Sequence, residues 1–220
     1  SILQRQVEVI KASGITSKPV VVIGPEGDRL CEHFNEECLY AMQEKQLGTG
    51  HAVMISKEAV GDVDAVIVLY GDHPFISSDT LKRLAAKHEQ SESVMTMMTT
   101  IVPSFDDWYG SFLHWGRILR DGHGHLLGIR QYKDAMESER AIKEVDPALY
   151  AFNADWLWQH ISEVKNFNAQ EEYYLTDMLE LAVTQGHDIP SIEIPPEEAL
   201  AINTPEELAH AEMVCKKFHA

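Results

Sequence analysis

The chain has 220 residues, 45% of them hydrophobic and 24% charged, an ordinary globular composition that suits one large domain or two small ones. Its formal net charge of −17 argues against a nucleic-acid backbone or an anionic membrane as partner, since both attract Lys/Arg clusters. No apolar run approaches the roughly 20 residues of a membrane-spanning helix, and Ser1-Ile2-Leu3-Gln4-Arg5 does not read as a signal peptide. Cys31, Cys38 and Cys215 form no close C-x-x-C pair, which disfavours a disulfide scaffold or a zinc site and points to a reducing cytoplasm.

In chain order, Ile2, Val7, Val9 and Ile10 predict a first helix stopped by Gly14. Pro19 to Ile23 predicts a short buried strand, Arg29 to Asn35 a helix, and Cys38 to Met42 a second strand. A polar loop from Gln43 follows, then a helix over Thr49 to Ala59. Ala65 to Leu69 is a strand that ends at Gly71-Asp72. The next helix runs to about Lys87, with Ser78 or Asp79 as its expected cap.

Such alternation predicts an α/β fold, a Rossmann-like doubly wound and mostly parallel sheet. Ligands of these sheets lie beyond the carboxyl ends of the strands, where Gln43 and Asp72 fall. After about residue 92 the rhythm changes. Val94 to Val102 is β-prone. Residues 116–120 and 126–130 flank Asp121-Gly122-His123-Gly124, a hairpin signal. Val145 to Phe152 is a strand that Pro147 interrupts. Helices are expected over Asp155 to Val164 and Tyr174 to Gln185, and a strand over Ser191 to Ile194. A last helix has Thr204 as N-cap and Pro205 in its first turn. The expectation is one domain, with a nucleotide-binding half over about 1–92 and a mixed α+β sugar-binding half over about 93–220.

A small set of positions carries the chemistry. Asp72 is a lone acid after five apolar strand residues, either a turn-former before Pro74 or a metal ligand. Gly48-Thr49-Gly50 opens a helix whose amides suit a phosphate or base, although the tripeptide alone is weak evidence. Gln43 carries an amide able to pair with a base edge. Asn203 offers a neutral oxygen as a second ligand for a divalent cation, or serves only in helix capping. Tyr174 and Thr176 lie in a polar stretch before an apolar helix, suited to sugar hydroxyls or to capping. His123 and His125 are expected to be solvent-exposed, and Met95, Met97, Met98, Trp156 and Trp158 to pack.

The ordered set Q-x-x-Q-L-G-T-G-H-A, L-Y-G-D-x-P, W-G-R-I-L-R, G-I-x-x-x-K-D-A, N-A-Q-x-E-Y-Y-L-T-D and I-N-T-P-E-E-L resembles the uridyltransferase domain of bifunctional N-acetylglucosamine-1-phosphate uridyltransferases, within the sugar-phosphate nucleotidyltransferases. The resemblance spans nearly the whole chain. It implies the nucleotide-diphospho-sugar transferase fold. The implied reaction joins a nucleoside triphosphate, UTP first, to a sugar 1-phosphate such as N-acetylglucosamine 1-phosphate, releasing pyrophosphate with Mg²⁺ as cofactor. By resemblance, Gln43, Gly48 and Thr49 line the nucleotide pocket. Asp72 and Asn203 hold Mg²⁺, and Gly116, Gln131, Asp146, Tyr174 and Thr176 line the sugar pocket.

Three departures accompany the resemblance. The family's first strand and glycine-rich loop have no counterpart in residues 1–220 and are expected upstream of Ser1. Gln131 stands where the family has Glu and Asp146 where it has Asn, so the identity of the sugar stays open. Residues 1–220 hold no counterpart of the acetyltransferase domain of the bifunctional enzymes, so that second activity is not expected of them. The competing expectation is a non-catalytic module of the same fold that senses a nucleotide sugar or regulates a partner.

Overall fold

Capping sets the bounds of the first helix, α1 (Ile2–Ser13). The Ser1 hydroxyl accepts from the Gln4 N–H at 3.1 Å, and Gly14 ends the helix at φ 77°. A computed structural model describes residues 1–168 and 170–218; Ala169 of the N-A-Q motif and the Cys215 side chain lie outside the described residues. Beyond α1 come β1 (Val20–Ile23), α2 (Asp28–Phe34), β2 (Leu39–Met42), α3 (Thr49–Val60), β3 (Ala65–Val68) and α4 (Ser78–Ser91). The second half runs β4 (Met95–Ile101), β5 (Arg117–Arg120), β6 (Leu126–Arg130), α5 (Glu137–Arg140), β7 (Glu144–Val145), β8 (Tyr150–Asn153) and α6 (Ala154–His160). It ends with α7 (Asp177–Thr184), β9 (Ser191–Glu193), α8 (Pro196–Ala199) and α9 (Pro205–Phe218).

β1 and β2 pair in parallel, with Val20 opposite Leu39 and Ile23 opposite Met42. The larger sheet has the order β3-β8-β4-β7-β5-β6, and β9 joins β4 in parallel. The remaining ladders are antiparallel, so pairing is more mixed than the strand–helix alternation predicts. The returning strands β7 and β8 flank β4 because the chain doubles back through the β5–β6 hairpin instead of crossing over by a helix. An Arg120–Glu144 fork at 2.6 and 2.9 Å ties that hairpin to β7.

Strand periodicity divides the core. Met95, Met97, Tyr150 and Phe152 face one layer with Val53 of α3, Leu157 of α6 and Met178 and Leu179 of α7. Met98, Leu149 and Ala151 face the opposite layer with Leu81 and Leu84 of α4, Ala199 of α8 and Ala211 and Val214 of α9. Helices thus cover both faces, the doubly wound arrangement expected. The three methionines are fully buried, and Trp156 packs in the first layer while its indole N–H donates to Gln185.

Four local expectations change. Ser77, not Ser78 or Asp79, caps α4, its hydroxyl accepting from the Thr80 N–H. The 145–152 run splits in two: Pro147 lacks an N–H, Ala148 turns to φ 58°, and the Asp146 carboxylate takes the Ala148 N–H. The helix expected from Tyr174 starts only at Asp177, because the preceding residues close in a tight i→i−3 turn: Asp177, Met178 and Leu179 N–H donate to the Tyr174, Leu175 and Thr176 carbonyls. The short helices α5 and α8 were not anticipated, since four residues are too few to show a period.

Gln6 of α1, 5% exposed, reaches the turn after β3 and donates through Nε2 to the carbonyls of Tyr70 (2.6 Å) and His73 (2.9 Å). Replacing it by an apolar residue takes a donor from both. Gln6→Leu is expected to lower unfolding free energy by about 2 kcal/mol, read by urea denaturation; an unchanged midpoint would show that the clamp carries no stability.

Candidate active site

The loop from Gln43 leaves the carboxyl end of β2, where the Gln43 N–H donates to the Ile23 carbonyl at 2.8 Å. Its side chain, 9% exposed, folds back over α3: Nε2 lies 3.1 Å from the Gly48 carbonyl and 2.9 Å from His51 Nδ1. Gly48 opens α3 at φ 99°, and a Cβ there would sit 2.7 Å from the Tyr173 carbonyl oxygen, so only glycine fits. The 172–175 segment packs on this turn through Tyr173 N–H to Leu47 O at 2.8 Å and Gly50 N–H to Tyr173 O at 2.7 Å. The Thr49 hydroxyl accepts from Leu175 N–H at 3.0 Å and also bonds the Tyr70 side chain.

Asp72 lies past the carboxyl end of β3. Its backbone carbonyl accepts from the Ile202 N–H at 2.8 Å, which sets Asn203 beside it. Asp72 Oδ1 is buried without a hydrogen-bond partner. His73 Nε2 lies 3.7 Å from it. Burial pushes the His73 imidazole down, against the upward pull of Asp72 and of a hydrogen bond to the Ala199 backbone, so the ring is neutral and supplies no ion pair. Asn203 is exposed; its N–H and that of Thr204 donate to Glu207 Oε2 at 2.6 and 3.1 Å, while the Thr204 hydroxyl accepts from Glu207 N–H at 3.1 Å. This capping box holds the residue 203 backbone and leaves the Asn203 side-chain amide outside the box. A buried orphan carboxylate oxygen beside a neutral amide suits a hard divalent cation. Among the described residues, no group of three or more His, Cys, Asp or Glu side chains is arranged to hold a metal.

Gly116, Gln131 and Asp146 converge. A Cβ built on Gly116 would lie 3.8 Å from both Gln131 Nε2 and Asp146 Cβ, and the Asp146 N–H donates to the Gly116 carbonyl at 3.0 Å. Asp146 is 8% exposed; Oδ2 accepts from the Tyr150 hydroxyl at 2.6 Å and Oδ1 from Ala148 N–H at 2.8 Å. Burial pushes its carboxyl up to about 6, partly offset by those two donors. Tyr70 stands between the groups: its burial and the charges of Asp146 and Asp72 push the phenol up to about 12, while the bond to Thr49 pulls it down. Thr49, Tyr70, Asp146 and Gly116 therefore link the two halves in one chain of neighbours. Tyr174 and Thr176 are joined to it through Leu175 only. The Tyr174 hydroxyl donates instead to Gln170 Oε1 at 2.7 Å, and Thr176 sits at the start of α7 without a side-chain capping bond.

Several supporting residues escaped the sequence reading. Arg117 is wholly buried and donates to the carbonyls of Trp115 (2.5 Å), Leu113 (2.8 Å) and Arg140 (3.3 Å), with its guanidinium 4.3 Å from the Phe105 ring centroid. It clamps the turn that carries Gly116. Arg next to that glycine in W-G-R was the available signal. Gln6, a polar residue beside Val7, and Tyr70, within L-Y-G-D, gave weaker ones. His123 and His125 are exposed at the hairpin tip, where Asp121 takes both their N–H groups.

Backbone amides at a helix start and an acid past a strand end thus lie at the carboxyl ends of the strands, where ligands of such sheets bind. The chain belongs to the MobA-like NTP transferase domain family, whose model matches residues 1–144. It is 38% identical over 200 residues to the bifunctional protein GlmU of Brevibacillus brevis, covering 90% of this chain and 42% of that protein. GlmU of Clostridioides difficile is 38% identical over 212 residues, covering 96% and 44%. GlmU of Geobacillus thermodenitrificans is 35% identical over 216 residues, covering 97% and 45%. The chain thus spans less than half the length of these relatives. A solved structure of CMP:2-keto-3-deoxy-manno-octonic acid synthetase complexed with CTP superposes with a TM-score of 0.70 at 14% identity, covering 98% of this chain and 88% of that one, a likeness of fold. No helix among the described residues is long and apolar enough to cross a membrane.

The Asp146 shift has a stability consequence. Its folded value, about 6, exceeds the ordinary 3.8, so the folded state binds the proton more tightly and the charged form costs stability at neutral pH. That cost shrinks as pH falls from 6 towards 3.8. The stability of Asp146→Asn relative to the parent should therefore be higher at pH 7.5 than at pH 5 by roughly 1 kcal/mol, measured by urea unfolding at both values. A pH-independent difference would place the carboxyl in a less desolvated setting.

Proposed function

We propose that the protein transfers a nucleotidyl group from a nucleoside triphosphate, UTP first, to a sugar 1-phosphate, N-acetylglucosamine 1-phosphate or a related sugar, releasing pyrophosphate. The observation that carries this reading is the orphaned Asp72 Oδ1 beside Asn203, held there by the Ile202–Asp72 backbone bond. Asp72 and Asn203 would hold Mg²⁺, which supplies neutralisation of phosphate charge when bound.

The chain's own residues do the rest by positioning. Residues of about 1–92 form the nucleotide half and those of about 93–220 the sugar half. Gln43 meets the base edge, and Gly48, lacking a side chain, lets the base lie close to the start of α3. Asp146 and Gln131 face the sugar hydroxyls. An ionised Asp146 only accepts hydrogen bonds, whereas Gln131 both donates and accepts, so a sugar offering a hydroxyl or N–H donor to Asp146 is favoured. Tyr174 and Thr176 reach the same sugar once Tyr174 leaves Gln170. The sugar phosphate oxygen attacks the α-phosphorus in line as the bond to pyrophosphate breaks, and no covalent protein intermediate forms. The compartment in which this chemistry runs is proposed to be the cytoplasm.

The test is pyrophosphate release from UTP with Mg²⁺ across a panel of sugar 1-phosphates, using the full-length protein. At least one sugar should turn over, and Asp72→Asn should lower the rate by about 100-fold or more with an unchanged circular dichroism spectrum. Silence across the panel would favour a nucleotide-sugar-sensing module instead.

A further inference from the structure

Gln43 can present either its carbonyl or its amino group to a ligand, and the surrounding bonds decide which. The Gly48 carbonyl can only accept, so the Gln43 atom 3.1 Å from it is the amino nitrogen. The same nitrogen lies 2.9 Å from His51 Nδ1. With one N–H directed to Gly48, the second points at that ring nitrogen, which therefore accepts and carries its proton on Nε2 instead. Both Gln43 donors are consumed. Only Oε1 remains for a base.

His51 lies on the first turn of α3, three residues after Gly48, with its ring centroid 6.3 Å from that of Tyr173. Tyr173 is itself fixed by its two backbone bonds to Leu47 and Gly50. The imidazole thus has beside it a segment pinned to the same loop.

We propose that His51 is a positioning residue that sets base specificity: by occupying the second amino hydrogen of Gln43, it leaves an acceptor-only edge that takes a uracil N3–H and rejects a cytosine N3. The inference rests on the nucleotidyltransferase reading and names the base that the site selects. Uracil presents its N3–H donor between two carbonyl acceptors. Cytosine presents a lone pair at N3, which faces Oε1 with like polarity. Removing the imidazole acceptor frees an N–H next to Oε1, and that N–H can meet the cytosine N3.

The test measures dissociation constants of UTP and CTP for the full-length protein with Mg²⁺ by isothermal titration calorimetry, independently of turnover. The wild type should bind UTP about tenfold or more tighter than CTP. His51→Leu should bring the two within about threefold of each other, the residue of one hydrogen bond's discrimination. His51→Asn should restore the preference, because its Oδ1 takes the place of imidazole Nδ1; a purely structural role for the ring would not be rescued this way. The wild type alone gives a second readout should His51→Leu fail to fold: N3-methyl-UTP, lacking the donor, should bind at least about tenfold more weakly than UTP. An unchanged UTP to CTP ratio in His51→Leu, or equal binding of N3-methyl-UTP, overturns the role of His51. Failure of the wild type to bind either nucleotide overturns the nucleotidyltransferase reading together with it.

Discussion

The bond from Ile202 N–H to the Asp72 carbonyl joins two segments 130 positions apart and decides where the chain's chemistry can lie. Without it, the acid past β3 would be an isolated turn residue, and Asn203 an ordinary position ahead of a helix. With it, an unpaired carboxylate oxygen and a side-chain amide share one end of the sheet. Everything near the pair conserves that arrangement. Gln6 grips the turn from α1, the Thr204–Glu207 capping box fixes the backbone on the other side, and neutral His73 leaves the carboxylate's charge uncompensated. One carboxylate oxygen is left buried without a hydrogen-bond partner, and a bound cation is a group that would satisfy it.

The second organising element is the run of neighbours through Thr49, Tyr70, Asp146 and the Gly116 backbone. It crosses from the parallel β1–β2 side to the antiparallel β5–β6–β7 side. Asp146 is its buried member, bonded to the Tyr150 hydroxyl and to the Ala148 and Gly116 backbone, while Thr49 and Tyr70 are half-buried. Arg117 stabilises the far end without a carboxylate, through three carbonyls and an aromatic face. A substrate that spans both halves would therefore meet walls whose positions are already coupled.

Much of the first half was legible because its signals are local. Gly14, Gly48 and Thr204 mark helix ends through backbone conformation and capping, and Ala65 to Leu69 is an apolar strand followed by an acid. The convergence of Gly116, Gln131 and Asp146 was reachable through resemblance, since nothing in their spacing brings them together. What stayed hidden depends on contacts remote in sequence. The delayed start of α7 reflects an i→i−3 turn over residues 174–179, in a segment docked on the Gly48 turn by Leu47 and Thr49. The antiparallel returns of β7 and β8 to β4 cannot be read from strand propensity, which is alike for both directions. Gln6 and Arg117 look like surface residues until their carbonyl partners are known.

The central claim is that Asp72 and Asn203 share a divalent cation beside the nucleotide loop. Anomalous diffraction from crystals of the full-length protein grown with Mn²⁺ and UTP addresses it most directly. The manganese peak is expected between the Asp72 carboxylate and the Asn203 side-chain oxygen, with phosphate oxygens completing its shell. A nucleotide bound at the Gln43 loop with the manganese held elsewhere, or with no peak at Asp72, would contradict it.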